Sequence, residues 1–228
     1  MSLLLQIETA TTACSIALVQ NQTVLAVKEL NERNIHAEVI TIFIEEVFAA
    51  TGKIYADVNA IAVSSGPGSY TGLRIGVSTA KGLCFGLDKP LIAVETLQAM
   101  ADGMAVQITD DNLLLCPMID ARRMEVYTAL FDSKGNRISP TSAEIIDENS
   151  YADLLQDKSI LFFGDGAAKC REVLSHNTNA RFNGDYTNSA VHLTHRAAAA
   201  FNAGKFENIA YFEPFYLKEF IAGKKAGA

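Results

Sequence analysis

Three strand-like segments stand in a row at the start of the chain, before any helix. LLLQIE is followed by the polar turn TATTAC and by SIALVQ, which reads as a hairpin, and NQT then punctuates before VLAVKEL. A doubly wound sheet alternates strand and helix from the outset, so this opening argues against one. Residues 35–50 carry an apolar pattern too long for a strand and predict a helix closed by Thr51 and Gly52. Residues 60–65 predict a buried strand ending at Gly66-Pro67-Gly68, and a helix runs from about Thr71 to Leu87. PLIAVE is a fifth strand, and TLQAMADGMA is a short helix that closes this half.

The second half repeats the order. LLLCPMI at 113–119, MEVYTALF at 124–131 and a third segment near 137–146 read as strands, with DSKGN as a hairpin turn. A short helix at about 150–156, the strand SILFFG, and the helices AAKCREVLS and HLTHRAAAAFNAG follow, and the tail GKKAGA is expected to fray. The reading is an α/β chain of two tandem βββαβα lobes, residues 1–105 and 106–228, with a ligand cleft between them. That layout resembles the actin, hexokinase and Hsp70 superfamily.

Composition narrows the class. The opening MSLLLQIETA has no basic segment and no long apolar run, so it reads as a strand start rather than a signal peptide. No window reaches the roughly 18 unbroken apolar residues of a membrane span. Cys14, Cys84, Cys116 and Cys170 lie far apart and read as free thiols in a reducing compartment. A cytoplasmic location is therefore expected. The net charge of −7 repels phosphate, so RNA, if involved, is held mainly by a partner.

The segment SSGPGSYTGLRIG at 64–76 is the most specific motif. With IETATTACSIAL, DARRMEVY at 120–127 and GDG at 164–166, it closely resembles the TsaB (YeaZ) family over nearly the whole chain. The resemblance implies a non-catalytic partner of TsaD in forming N6-threonylcarbamoyladenosine at position 37 of tRNAs that read codons beginning with A. A TsaE-like ATPase is the other implied partner, and tRNA is met through the complex. ATP or ADP and metal are then expected on partner subunits, with none bound by this chain alone. The catalytic relative carries a His-x-x-x-His metal pair after its fifth strand. Thr96 and Met100 hold those positions here and are poor ligands for a hard or borderline cation.

The nucleotide turns are degraded as well. Glu8-Thr9-Ala10-Thr11 stands where superfamily kinases carry Asp-x-Gly-Thr, and Asp120-Ala121-Arg122 likewise lacks a glycine. Glu8, Thr9, Asp120 and Asp165 are read as a vestigial magnesium or phosphate cleft, with turn-capping as the plainer alternative. Gly66-Pro67-Gly68-Ser69 reads as a tight turn capped by Ser69 or Thr71, since it lacks a Gly-Lys-Ser/Thr ending. His192 and His195 have no third ligand nearby, and no His/Asp pairing with Ser64, Ser65 or Ser69 is legible. A small-molecule kinase and a metalloprotease are the alternative functions, the first resting on fold class and the second on a metal site the sequence lacks.

Helix 71–87 is apolar nearly all round. Leu73, Val77, Ala80, Cys84 and Leu87 form the core stripe, while Gly72, Gly76, Thr79, Leu83 and Gly86 make a second, mostly small face. Ile75 and Gly82 point away from the core. Mid-helix glycines are unfavourable by up to about 1 kcal/mol each, so close approach of another helix is the expected compensation. The resemblance implies that this face, with Ile40, Ile44 and Phe48 of helix 36–50, docks on the TsaD-like subunit. The same surface would serve a homodimer, and burial within one lobe is the competing reading.

Overall fold

The computed structural model describes residues 2–218; the expected frayed tail at 223–228 lies outside them. Two five-stranded mixed sheets share one topology. The first runs β3-β2-β1-β4-β5, from β1 (Leu3–Glu8), β2 (Ala13–Gln20), β3 (Thr23–Asn31), β4 (Ala60–Ser64) and β5 (Leu91–Val94). The second runs β10-β9-β6-β7-β8, from β6 (Leu113–Asp120), β7 (Glu125–Thr128), β8 (Ser142–Ile145), β9 (Ser159–Phe163) and β10 (Ala180–Asn183). In each sheet the first three strands pair antiparallel and the rest add in parallel. This duplicated order is the two-lobed actin-like ATPase fold.

Each half runs one strand and one helix beyond βββαβα. β10 was not legible, because Ala180–Asn183 carries one arginine and one asparagine and only half-buries its apolar residues. The helices are α1 (His36–Thr51), α2 (Tyr70–Leu87), α3 (Thr96–Ala105), α4 (Ala152–Asp157), α5 (Ala167–Leu174) and α6 (Thr194–Asn202). α1 and α2 cover one face of the first sheet, where Ile40, Ile44, Val47, Val77, Ala80 and Cys84 pack on Leu5, Ile7, Ile16 and Ile61.

The closing helix of each half crosses to the other sheet. Leu97, Met100 and Met104 of α3 pack with Leu115, Ile119, Phe131 and Phe163 of the second lobe. Leu193 and Ala197, at the start of α6, pack with Leu4, Ala60, Ile92 and Val94 of the first. The two helices meet where Arg196 grips Asp102 through two hydrogen bonds of 2.7 and 2.9 Å. Gly103 lies flat beneath the His192 ring, where any side chain would overlap it.

Glycines at a spacing of four set α2 against the β1–β2 turn. A Cβ on Gly68 would overlap the carbonyl of Ala10, on Gly72 the carbonyl of Thr9, and on Gly76 the Thr9 hydroxyl. Ser69 caps the helix by accepting from the Gly72 amide at 3.3 Å, as the motif's turn reading expects. Gly82 and Gly86, on the far side of the same helix, have open space where a Cβ would stand.

Gly72→Ala is expected to destabilise the fold by about 1–3 kcal/mol despite its better helix propensity, because a backbone carbonyl cannot move aside. Gly82→Ala should be neutral or gain up to about 1 kcal/mol. Urea denaturation of the two variants checks the contrast.

Candidate functional site at the cleft between the lobes

A cleft of about 720 Å³ opens between the two sheets. The β1–β2 turn contributes Ala10, Thr11 and Thr12, the β3–α1 loop contributes Arg33 and His36, and α2 contributes Ser69, Thr71 and Ile75. The second lobe supplies Ile119, Asp120 and Asp165. His36 braces this wall: its Nε2–H is shared between the carbonyls of Thr11 at 3.0 Å and Ala13 at 3.2 Å.

The structure divides the expected cleft residues. Asp120 and Asp165 meet in it, with the Asp120 amide donating to Asp165 Oδ1 at 3.0 Å. Glu8 and Thr9 do not line it. The β1 pleat turns the Glu8 side chain beneath the turn, where it is fully buried, and Thr9 is wedged under Gly76. Burial pushes the Glu8 carboxyl up to about 7, against the opposing pull of hydrogen bonds from the Ala10 amide, the Ser64 hydroxyl and the Thr9 amide. Burial also raises the Asp165 pKa, more than the donated Asp120 amide lowers it.

Several amides of both turns are bonded within the protein. Ala10 N donates to Glu8 Oε1 at 2.6 Å, Thr9 N reaches Ser64 Oγ at 3.4 Å, and Ala13 N reaches Thr11 Oγ1 at 3.3 Å. In the second lobe Arg122 N donates to Asp120 Oδ1 at 2.9 Å and Ala121 N to the Glu125 carbonyl at 3.1 Å. Asp120 is also paired with the Lys169 ammonium. A phosphate cradle needs free amides converging on the anion. Here Glu8 takes the Ala10 amide, Thr11 that of Ala13, Asp165 that of Asp120 and Asp120 that of Arg122, while the Thr11 and Thr12 amides have no partner among the described residues. With those four amides engaged and no glycine in either turn, the residues present are a poor fit for the nucleotide that the fold class implies.

The two positions that replace the histidine pair have structural work instead. The Thr96 hydroxyl accepts from the Gly66 amide at 3.1 Å, and the Thr96 amide donates to the Gly66 carbonyl at 2.9 Å. Met100 is 1% exposed in the core between the lobes. Among the described residues no three His, Cys, Asp or Glu side chains group as metal ligands. His192 packs on Tyr186, its Nδ1 3.1 Å from the phenol oxygen, and His195 is exposed.

The expected partner face needs correction at five positions. Ile40, Ile44 and Phe48 are no more than 5% exposed in the first core, and Gly72 and Gly76 lie against Thr9. These residues pack the lobe and cannot meet a partner. Ile75, Thr79 and Leu83 are half-buried, while Gly82 and Gly86 are exposed. Phe85, which sequence reasoning missed, is 86% exposed on the neighbouring side of α2, and Ile42 of α1 is 51% exposed. At 100° per residue Phe85 falls off the core stripe, and an aromatic ring there was the available signal.

The fold defines a two-lobed actin-like protein whose two cleft turns are partly bonded from within. A family model described as TsaD, tRNA N6-adenosine threonylcarbamoyltransferase, matches residues 23–221. The TsaB protein of Bacillus subtilis, a tRNA threonylcarbamoyladenosine biosynthesis protein, is 31% identical over 183 residues, 75% of this chain and 74% of its own. TsaB of Escherichia coli is 41% identical over 135 residues, which cover 59% of this chain. The matched stretch spans only 57% of that protein's length. The solved structure of YeaZ from Pseudomonas aeruginosa superposes with a TM-score of 0.78 at 24% identity, covering 95% of this chain and 100% of that one. The chain belongs to the TsaB family.

Glu8 gives the site a pH signature. Its folded pKa lies above the ordinary 4.5, so its stabilising contribution is complete below that value and is lost as pH rises through about 7. Between about pH 5 and 8 the stability advantage of the native chain over Glu8→Gln should therefore fall by up to about 3 kcal/mol. Urea titrations across that range test this, and parallel pH profiles for the two proteins would contradict it.

Proposed function

We propose that this chain is an accessory subunit in the formation of N6-threonylcarbamoyladenosine at position 37 of tRNA, working through a TsaD-like catalytic subunit and a TsaE-like ATPase. The names of its relatives support the pathway. The observation that carries the subunit role is the outer face of α2, where Gly82 and Gly86 leave open space and Phe85 stands exposed to one side of them. A large exposed ring beside small residues offers a knob and a shallow seat to an opposing helix. Half-buried Ile75, Thr79 and Leu83 continue this surface. A homodimer through the same helices is the arrangement expected when the catalytic partner is absent.

Turnover then belongs to the partner. The internally bonded turns and the structural roles of Thr96 and Met100 support a chain that shapes or holds the catalytic subunit. A defined reaction containing TsaD, TsaE, threonylcarbamoyl-adenylate and tRNA should form product only when this chain is added. Equal product without it would overturn the reading.

Gly82→Leu separates docking from folding. The added side chain enters open space, so the monomer should melt at the same or a higher temperature. The same side chain should hold a partner helix away and abolish co-elution with TsaD. An intact complex would place the interface elsewhere, and a destabilised monomer would contradict the open geometry.

A further inference from the structure

The chain has eight arginines. Arg74 and Arg171 lie over the rings of Tyr70 and Phe182. Arg137, Arg181 and Arg196 pair with Glu95, Asp110 and Asp102. The side chains of Arg33, Arg122 and Arg123 make no ion pair, hydrogen bond or ring contact among the described residues, and all three are exposed. Arg33 lines the cleft that Asp120 also lines. Arg122 and Arg123 follow Asp120 in the β6–β7 turn, where the Arg122 amide donates to Asp120 Oδ1, so they stand beside the cleft lining rather than in it.

Leaving the three unpaired runs against the composition. Asp and Glu outnumber Lys and Arg by 26 to 19, so acids were available to neutralise the three guanidinium groups. The backbone adds a second sign. Arg122 and Arg123 adopt φ of 70° and 49°, and Asn34 beside Arg33 adopts 63°. That left-handed region favours glycine and asparagine. A β6–β7 turn that only reversed the chain would relax with those residues, whereas this one keeps two arginines under strain.

We propose that Arg33, Arg122 and Arg123 form a rim that receives the phosphodiester backbone of tRNA in the assembled complex, an inference that rests on the proposed function. Guanidinium forks match phosphate oxygens in pairs. Three of them on loops from both lobes suit a run of phosphates crossing the cleft mouth. A single nucleotide entering the cleft suits the site poorly, because Asp120, Asp165 and Glu32 line it and the Ala10, Ala13 and Arg122 amides are already bonded. Lys169 neutralises Asp120, which limits repulsion at the rim itself. The acidic chain then contributes a few positioning contacts while its partner supplies most of the affinity.

The test compares the native chain with the triple variant Arg33→Gln, Arg122→Asn, Arg123→Gly, each in complex with TsaD, for binding of a tRNA transcript across a salt series. The last two substitutions suit the left-handed backbone, so folding and co-elution with TsaD should be kept. Affinity at low salt should fall about tenfold or more, and the slope of log affinity against log salt should become shallower by about two to three. The triple lysine variant should restore most of that slope. Unchanged affinity and slope in the glutamine-asparagine-glycine variant would overturn the rim. Loss of co-elution would overturn it too, by showing that the arginines meet protein carboxylates. A native complex that binds no tRNA would overturn the proposed function along with it, and that result appears before any variant is made.

Discussion

The close approach of α2 to the β1–β2 turn is the contact on which the rest of the site depends. Gly68, Gly72 and Gly76 present bare backbone to Thr9 and Ala10, and Ser69 N donates to the Ala10 carbonyl at 2.7 Å. Helical glycines are unfavourable on propensity alone. Their return here is a turn pressed flat between strand and helix, with Glu8 beneath it and His36 bracing its outer side. The motif that most clearly marks the family is thus a packing device. It explains why the turn keeps an acidic residue and hydroxyls like those of a phosphate turn and yet spends the Glu8 carboxylate on its own Ala10 amide.

The same economy runs through the second lobe. Asp120 and Asp165 occupy the matching place, with the Asp120 amide bonded to Asp165 and the Arg122 amide to Asp120. Exchange of α3 and α6 between the sheets joins the halves through Met100, Phe163 and the Arg196–Asp102 pair. What the fold leaves outward is the side of α2 with Gly82, Gly86 and the exposed Phe85, and the exposed arginines Arg33, Arg122 and Arg123.

Much of this was legible in the sequence, and the failures have physical reasons. The three opening strands, the burial stripe of α2 and its cap at Ser69 follow from periodicity and turn chemistry, which are local. Gly82 was rightly placed away from the core for the same reason. Gly72 and Gly76 were read as a partner-facing surface because a helical wheel shows that a face is small without showing which neighbour needs it small. Their neighbour is Thr9, more than sixty residues earlier. Ile40, Ile44 and Phe48 suffered the same ambiguity, since an apolar face buried by its own sheet looks like one buried by another chain. Glu8 was placed in the cleft from its position in the turn, but the direction of its side chain follows the pleat of β1. His36 carried no signal, as its partner carbonyls lie 25 and 23 residues away.

The central claim is that the chain's own side chains hold the Ala10, Ala13, Asp120 and Arg122 amides, which leaves too few for a phosphate. Calorimetric titration of magnesium–ATP into the pure chain tests it most directly. The engaged amides predict no saturable heat even at millimolar nucleotide. Stoichiometric binding in the micromolar range, weakened by substitution of Asp120, would contradict it and return the cleft to the nucleotide-binding members of the fold.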